Sequence, residues 1–178
     1  DEGPGMCLID KWIRTNSKKK YDTNGDIAKS GKVNKIVLKK YWNSFQASDP
    51  EQKSYDISDF DISFAKGLSL EDGAATLTLY TANYFTANFK FIEKFKDTSK
   101  EKTILCGGGR KNKFLVDKIK SYNKNVKLID DYGIDGDFVE SQAFAYLAIR
   151  SYLKLPISFP ESTGCKKPCT GGVIVKNF

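Results

Sequence analysis

The stretch TILCGGGRKNKFLVDKIKSYNKNVKLI, residues 103–129, decides the fold class. It begins with a short apolar strand at 103–106 and passes through three glycines into a helix predicted over 112–122. A second strand is predicted over 126–129. Because two strands joined by a helix form a parallel pair, we expect an α/β fold with a mixed sheet flanked by helices. The helix residues expected to face inward are Leu115, Ile119 and Tyr122.

Apolar residues at helical spacing predict four more helices, beginning at Cys7 and covering 32–46, 70–94 and 135–154. Residues 15–32 and 47–66 have the composition of loops, and the last apolar segment, 172–175, is predicted to be a strand. The residues expected to face inward from the helix at 32–46 are Val33, Ile36, Val37, Tyr41 and Phe45. The helix at 135–154 is strongly apolar through Phe144, Leu147, Ala148 and Ile149.

Length and composition restrict the function classes. The 178 residues, 40% of them hydrophobic, predict one folded domain over 1–178. No apolar run is long enough to span a membrane and no signal peptide is recognisable, so we expect a cytoplasmic protein. The net charge of +7 comes mainly from lysine, spread along the chain beside many Asn, Ile and Tyr, with only three arginines, and this argues against a nucleic-acid partner.

The residue types also restrict the chemistry. The chain has no histidine, which excludes histidine bases and triads. Its four cysteines, Cys7, Cys106, Cys165 and Cys169, lack the further ligands that a metal site needs, so we predict free thiols and no metal. Proton transfer would then depend on carboxylates.

Two segments are candidates for binding or catalysis. Gly107, Gly108 and Gly109 either let the backbone approach a ligand or form only a tight turn. Asp1 directly precedes the rigid turn Gly3-Pro4-Gly5, which could hold its carboxylate at a cleft. This turn stands at a start that is not Met, which favours part of a longer protein or one product of a divided gene.

The third candidate is a carboxylate cluster formed by Asp135, Asp137 and Glu140. It either serves a site or caps the last long helix. The spacing of Asp137 and Glu140 is that of a capping box, which favours the structural interpretation.

Five blocks of sequence, taken together, resemble the C-terminal half of bacterial anhydro-N-acetylmuramic acid kinases over essentially the whole chain. The blocks are DEGPG at 1–5, LSLEDGAATLT at 68–78, CGGGRKN at 106–112, GDFVESQAFAYLA at 136–148, and LP at 155–156 with STG at 162–164. The resemblance implies one lobe of an actin-like, ribonuclease H-like ATPase fold, with the N-terminal lobe absent. It also implies an enzyme of peptidoglycan recycling that uses ATP and Mg²⁺ to phosphorylate an amino sugar.

The resemblance implies roles for particular residues. Asp1 would be the catalytic base, Gly3, Gly5 and Glu140 would contact the sugar, and Gly107 to Gly109 with Asn112 would bind the nucleotide. The family element usually reads Asp-Thr-Gly-Pro-Gly-Asn, whereas Glu2 and Met6 occupy its second and sixth positions here.

Two hypotheses remain open at this point. Either the chain is half of a working kinase, inactive until the N-terminal half completes it, or it is a folded, non-catalytic remnant with at most a binding role. The expected partners are the amino sugar, ATP and the N-terminal half, with a homodimer also conceivable.

Overall fold

The computed structural model of the protein describes residues 3–48, 57–93 and 102–175. Helices dominate these ranges, and the sheet is small and parallel. In chain order the elements are α1 (Cys7–Asn16), α2 (Asp26–Ser30), α3 (Lys35–Ser48), α4 (Leu70–Glu93), β1 (Thr103–Leu105), α5 (Lys113–Tyr122), β2 (Val126–Leu128), α6 (Val139–Tyr152) and α7 (Pro160–Thr163).

The unit formed by β1, α5 and β2 confirms the expected α/β architecture. The two strands are parallel, with Thr103 opposite Val126 and Leu105 opposite Leu128. The Asn112 side chain caps α5, since its Oδ1 accepts a hydrogen bond from the Leu115 backbone N–H at 2.9 Å. Among the described residues the sheet has only these two strands, so the predicted mixed sheet is not seen.

Helix α4 organises the core and has the predicted start and length. It packs against α1, α2, α3 and α5, which explains why apolar and small residues surround most of its circumference. Gly73 allows a close approach of α1, because a Cβ there would lie 2.2 Å from Trp12 Cζ2. The largest fully buried apolar side chains are Leu8, Ile9, Ile13, Leu77 and Tyr80.

The prediction of a continuous loop over 15–32 is wrong. This segment contains α2, whose first backbone N–H groups are bound by a buried carboxylate. Asp22 accepts hydrogen bonds from Ile27 N at 2.8 Å and from Ala28 N at 2.9 Å. A short helix of this kind depends on such a cap and on packing against α4, which local apolar spacing does not reveal.

Two inward-facing assignments are also wrong. Ile36 is 83% exposed, because α3 begins at Lys35 and presents Leu38, Tyr41 and Trp42 to the core instead. Tyr122 is 48% exposed, since it is the last residue of α5. The Phe45 side chain lies outside the described part of the structure.

Helix α6 differs from the prediction in its start and its surroundings. It begins at Val139 rather than near 135, and no side chain caps it. Asp137 therefore does not form the predicted capping box with Glu140. The helix buries no residue among those described, and its apolar side chains lie at the surface, including Phe144, Tyr146, Ile149 and Tyr152.

The C-terminal segment folds back on itself in a short antiparallel bridge. Ser158 and Cys169 pair, with Cys169 N donating to Ser158 O at 3.1 Å. The predicted strand over 172–175 is wrong, because these residues are exposed and join no sheet within the described ranges. All four cysteines are free thiols. Across the described residues, no helix is both long and apolar enough to cross a membrane.

Candidate functional site

The turn Gly3-Pro4-Gly5 leads directly into α1. The Cys7 backbone N–H donates to Pro4 O at 3.0 Å, and Gly5 has a φ of +51°, in the left-handed region that favours glycine. Gly3 lies against helix α4, where a Cβ would stand 2.8 Å from Tyr84 Cδ1. These contacts hold the turn against the core.

The second glycine segment follows β1. Gly107 has a φ of +74°, and its N–H donates to Gly136 O at 3.1 Å, which joins the turn to the loop before α6. A Cβ built on Gly107 or Gly108 meets no heavy atom within 4 Å. The outer side of this turn is therefore open, and its backbone is accessible to a ligand.

The structure brings the two glycine segments together. Gly3, Pro4 and Gly5 line the same cavity of about 400 Å³ as Gly109. Met6 bridges them, because a Cβ on Gly109 would lie 3.2 Å from Met6 Cγ. Asp1, the predicted base, precedes this turn and lies outside the described residues.

Arg110 fixes the glycine turn to the loop before α6. Its side chain is only 6% exposed. The guanidinium binds Asp130 through both carboxylate oxygens, with Nε–Oδ2 at 2.6 Å and Nη2–Oδ1 at 2.9 Å. Nη1 also donates to Asp137 Oδ1 at 2.6 Å and to Gly107 O at 3.0 Å. Bidentate pairs of this geometry are among the strongest polar contacts in proteins.

These ion pairs shift the acidities of their members. The hydrogen bonds from Arg110 lower the pKa of Asp130 from 3.8 to about 2. Hydrogen bonds from Lys111 and Arg110 likewise lower the pKa of Asp137, and the two carboxylates raise the pKa of Arg110. Arg110, Asp130 and Asp137 are therefore all charged near neutral pH. We call this group of ion-paired side chains the Arg110 clamp.

The remaining predicted site residues lie farther from the cavity. Asn112 is 2% exposed and caps α5; its Nδ2 has no hydrogen-bond partner among the described residues. Glu140 is exposed in the first turn of α6 and does not line the cavity. Its helix is nevertheless tied to the glycine turn, because Asp137 lies two residues before the start of α6 and binds Arg110.

The clamp around Arg110 was not predicted from the sequence. A signal existed, because Arg110 is one of only three arginines among 29 basic residues and directly follows the glycines. Its partners Asp130 and Asp137 lie 20 and 27 residues away along the chain, beyond the range of local patterns.

The geometry separates two binding environments. The cavity is lined mostly by apolar side chains, and Arg110, the only charged residue among its described lining, is already bound by carboxylates. Such a cavity does not suit a phosphate or a sugar. The open outer side of Gly107 and Gly108 leaves room for a polar ligand beside the turn, although the Gly107 N–H is already bound to Gly136 O. No cluster of potential metal ligands occurs in the ranges described.

Comparison with known proteins identifies relatives along the whole chain. The family model described as anhydro-N-acetylmuramic acid kinase matches residues 1–177. Curated proteins of that name from Pelagibacter ubique and Zymomonas mobilis are 48% and 39% identical to it, over 100% and 98% of this chain. One from Brucella canis is 35% identical over 99% of the chain. The chain spans only 47–48% of the length of these relatives.

Proposed function

Because the chain belongs to the anhydro-N-acetylmuramic acid kinase family, we propose that it is the C-terminal half of an ATP-dependent amino-sugar kinase. The reaction converts 1,6-anhydro-N-acetylmuramic acid and water to N-acetylmuramic acid 6-phosphate, in cytoplasmic recycling of peptidoglycan. The observation that carries the proposal is the close approach of the Gly3-Pro4-Gly5 turn to the Gly107–Gly109 turn, where Met6 lies against Gly109.

The proposed reaction opens the anhydro bridge of the sugar and phosphorylates the oxygen that this releases. Asp1, which precedes the Gly3-Pro4-Gly5 turn in the sequence, takes a proton from water as that water attacks the anomeric carbon. The bond from this carbon to the bridging oxygen breaks, and that oxygen, now O6, receives the γ-phosphoryl group of ATP, whose bond to the β-phosphate breaks to release ADP. Phosphoryl transfer of this kind depends mainly on positioning and charge stabilisation, which rigid turns support.

ATP supplies the phosphoryl group, and Mg²⁺ is the metal we expect with it. The open space at Gly107 and Gly108 fits an adenosine that lies against the turn, and Asn112 keeps the following helix in place. In this proposal the sugar contacts the turn of Gly3 and Gly5 outside the apolar cavity, where a Cβ on Gly5 would meet no heavy atom within 4 Å, and it also contacts Glu140 from α6. Arg110 positions these parts through Gly107 and Asp137.

A second half must complete the cleft in this proposal. The chain matches under half of each relative, and the phosphate-binding elements that we attribute to the N-terminal lobe of an actin-like fold are not among its motifs. The exposed apolar side chains of α6 are consistent with a surface that another part of the enzyme covers. By itself the chain should bind nucleotide weakly and turn over nothing.

A non-catalytic remnant is the second candidate, and Met6 favours it. Where the family element carries an asparagine, Met6 places a thioether against Gly109, so an amide donor is lost next to the turn. Such a chain would remain folded but would not complete a cleft.

The Asp1→Asn variant tests the proposed base in the enzyme reconstituted with the other half. Turnover should fall by about 100-fold or more, the usual contribution of a general base, while nucleotide affinity is kept. Glu2→Gln is the matched control, because it removes the neighbouring charge and should leave most of the turnover. Full activity of Asp1→Asn would exclude its role as the base.

A further inference from the structure

The C-terminal hairpin brings two cysteines together. Ile157 N donates to Cys169 O at 3.0 Å and Cys169 N donates to Ser158 O at 3.1 Å, so the backbones of the two arms are joined. Between the arms the chain turns through Cys165, and Ser158 Oγ donates to Cys165 Sγ at 3.8 Å. The Cys169 thiol also forms a hydrogen bond with the Cys165 sulfur. The two thiols therefore meet inside one hairpin, and their contact needs no other part of the enzyme.

The surroundings of Cys165 favour its thiolate. A hydrogen bond from Thr163 lowers the pKa of the Cys165 thiol, and hydrogen bonds from Ser158 and Cys169 add to this effect against the opposing effect of burial. Cys165 is partly exposed and Cys169 is exposed, so both sulfurs can be reached by a small molecule. Because the thiolate is the nucleophile in thiol chemistry, Cys165 is suited to react first.

The other cysteines and the metal-site interpretation fit this chemistry less well. Cys7 lies in α1, where burial raises the pKa of its thiol, and Cys106 is exposed in the turn that follows β1. In the part of the chain that the structure describes, no group of three or more potential metal ligands occurs. Two thiols alone do not complete the tetrahedral ligand set of a structural zinc site. The contact between Cys165 and Cys169 is therefore better suited to forming a disulfide.

We propose that Cys165 and Cys169 are a reversible redox pair, which a low-molecular-weight disulfide converts to an intramolecular disulfide. The Cys165 thiolate attacks one sulfur of the small disulfide, breaks its S–S bond and releases one thiolate. The Cys169 thiolate then attacks the Cys165 sulfur of the mixed disulfide, forms the Cys165–Cys169 bond and releases the second thiolate. The protons lost by the two cysteines go to the released thiolates. Two protein thiols are thus oxidised and one small disulfide is reduced to two thiols.

The disulfide closes a hairpin that is attached to the end of α6. Arg150 Nε donates to Pro156 O at 2.7 Å, and the Ser151 hydroxyl donates to Gly171 O, so both arms of the hairpin are bound to this helix. A covalent bond across the turn between the arms limits the number of open conformations that the hairpin can adopt. Oxidation should therefore hinder local opening of the hairpin, and reduction should restore it.

Tryptic mapping tests the redox pair, because trypsin cleaves after Lys166, between the two cysteines. The probe is glutathione disulfide, added to the whole chain before free thiols are blocked and the chain is digested. We expect the two peptides to stay joined in the wild type and to separate after reduction with dithiothreitol. In Cys169→Ser, glutathione should stay attached to Cys165 about tenfold more often than in the wild type. Cys106→Ser lacks an exposed thiol outside the pair, so it should form the Cys165–Cys169 link like the wild type.

The Ser158→Ala variant tests why Cys165 reacts first. It keeps the backbone bridge to Cys169 but removes the hydroxyl that donates to the Cys165 sulfur. The pH at which alkylation of Cys165 by iodoacetamide becomes fast should move to higher values, because the thiolate loses a hydrogen bond. An unchanged pH profile would show that this hydroxyl does not stabilise the thiolate.

Amide hydrogen exchange tests the closure of the hairpin. The Cys169 amide, which binds Ser158 O, should exchange about threefold or more slowly in the oxidised chain than in the reduced chain. Equal exchange in a chain whose peptides are linked would overturn this closure. The redox pair itself would be overturned by a wild type that stays reduced, or by one that keeps glutathione on Cys165 while its peptides separate.

Discussion

Arg110 and Asp137 are joined by a 2.6 Å ion pair that links the turn after β1 to the start of α6. The same guanidinium holds Asp130, which follows β2, so one buried side chain ties the turn after β1 to both ends of the segment between β2 and α6. In the proposed enzyme these loops carry the nucleotide turn and the sugar-facing helix. The relative position of the two substrates would therefore depend on Arg110.

Replacing Arg110 with lysine should lower the thermal unfolding midpoint and loosen the glycine turn. Lysine keeps the charge but cannot bind Asp130 through two parallel hydrogen bonds while also reaching Asp137. Thermal unfolding followed by circular dichroism measures the effect. Lys111→Ala is the control, because Lys111 also pairs with Asp137 but its side chain is 59% exposed. An equal loss of stability in both variants would contradict the clamp.

The Arg110–Asp130 pair should make stability depend on pH in acid. Because folding lowers the pKa of Asp130 from 3.8 to about 2, the pair stabilises the fold fully above the ordinary value. This contribution is lost as the pH falls through the folded value. The difference in urea midpoint between wild type and Asp130→Asn should thus be large near about pH 6 and shrink toward about pH 2. A difference that stays constant over this range would disprove the assignment.

Gly136→Ala should destabilise the fold by about 1–3 kcal/mol, the usual cost of overpacking. Its Cβ would lie 2.2 Å from Arg110 Nε and displace the guanidinium from its carboxylates. Gly108→Ala is the matched control, since its Cβ meets nothing within 4 Å. Urea denaturation of both variants and the wild type measures the difference in their free energies of unfolding. The Gly108 variant should unfold like the wild type, and similar midpoints for all three proteins would show that Gly136 is not closely packed.

The face that α3 presents to the core can be tested with two neighbouring positions. Leu38→Ala should cost about 2–5 kcal/mol because it empties a buried site, whereas Ile36→Ala should change stability by no more than about 0.5 kcal/mol. Chemical denaturation compares them. A larger loss of stability in Ile36→Ala than in Leu38→Ala would instead show that Ile36 faces the core, as the apolar spacing alone predicts.

Local signals were sufficient for part of this fold. The unit of β1, α5 and β2 and the length of α4 follow from short apolar strands, a glycine turn and continuous helical spacing. Helix α2 could not be predicted in this way, because its start depends on the distant packing of α4 and on the Asp22 cap. Asp137 has the spacing of a helix cap, but it binds Arg110, 27 residues earlier in the chain. A local sequence pattern cannot predict a contact over this separation.

Of the candidate site, the sequence indicated the two glycine segments, and their binding roles stay predictions. The structure places both segments beside one apolar cavity, whereas Glu140 stays at the surface of α6. The role of Asp1 remains a prediction, because that residue lies outside the described ranges. The apolar spacing of α6 predicted a helix correctly but not its exposure, which depends on what packs against it.

We propose that this chain is half of an amino-sugar kinase, and its turnover can be measured. The most direct measurement is ADP release with Mg-ATP and 1,6-anhydro-N-acetylmuramic acid, by this chain alone and after addition of the half it does not match. We expect no turnover by the chain alone, and on mixing the two halves we expect clear turnover that requires the sugar. A folded chain that binds the other half but releases no ADP would contradict the kinase assignment and favour the non-catalytic remnant.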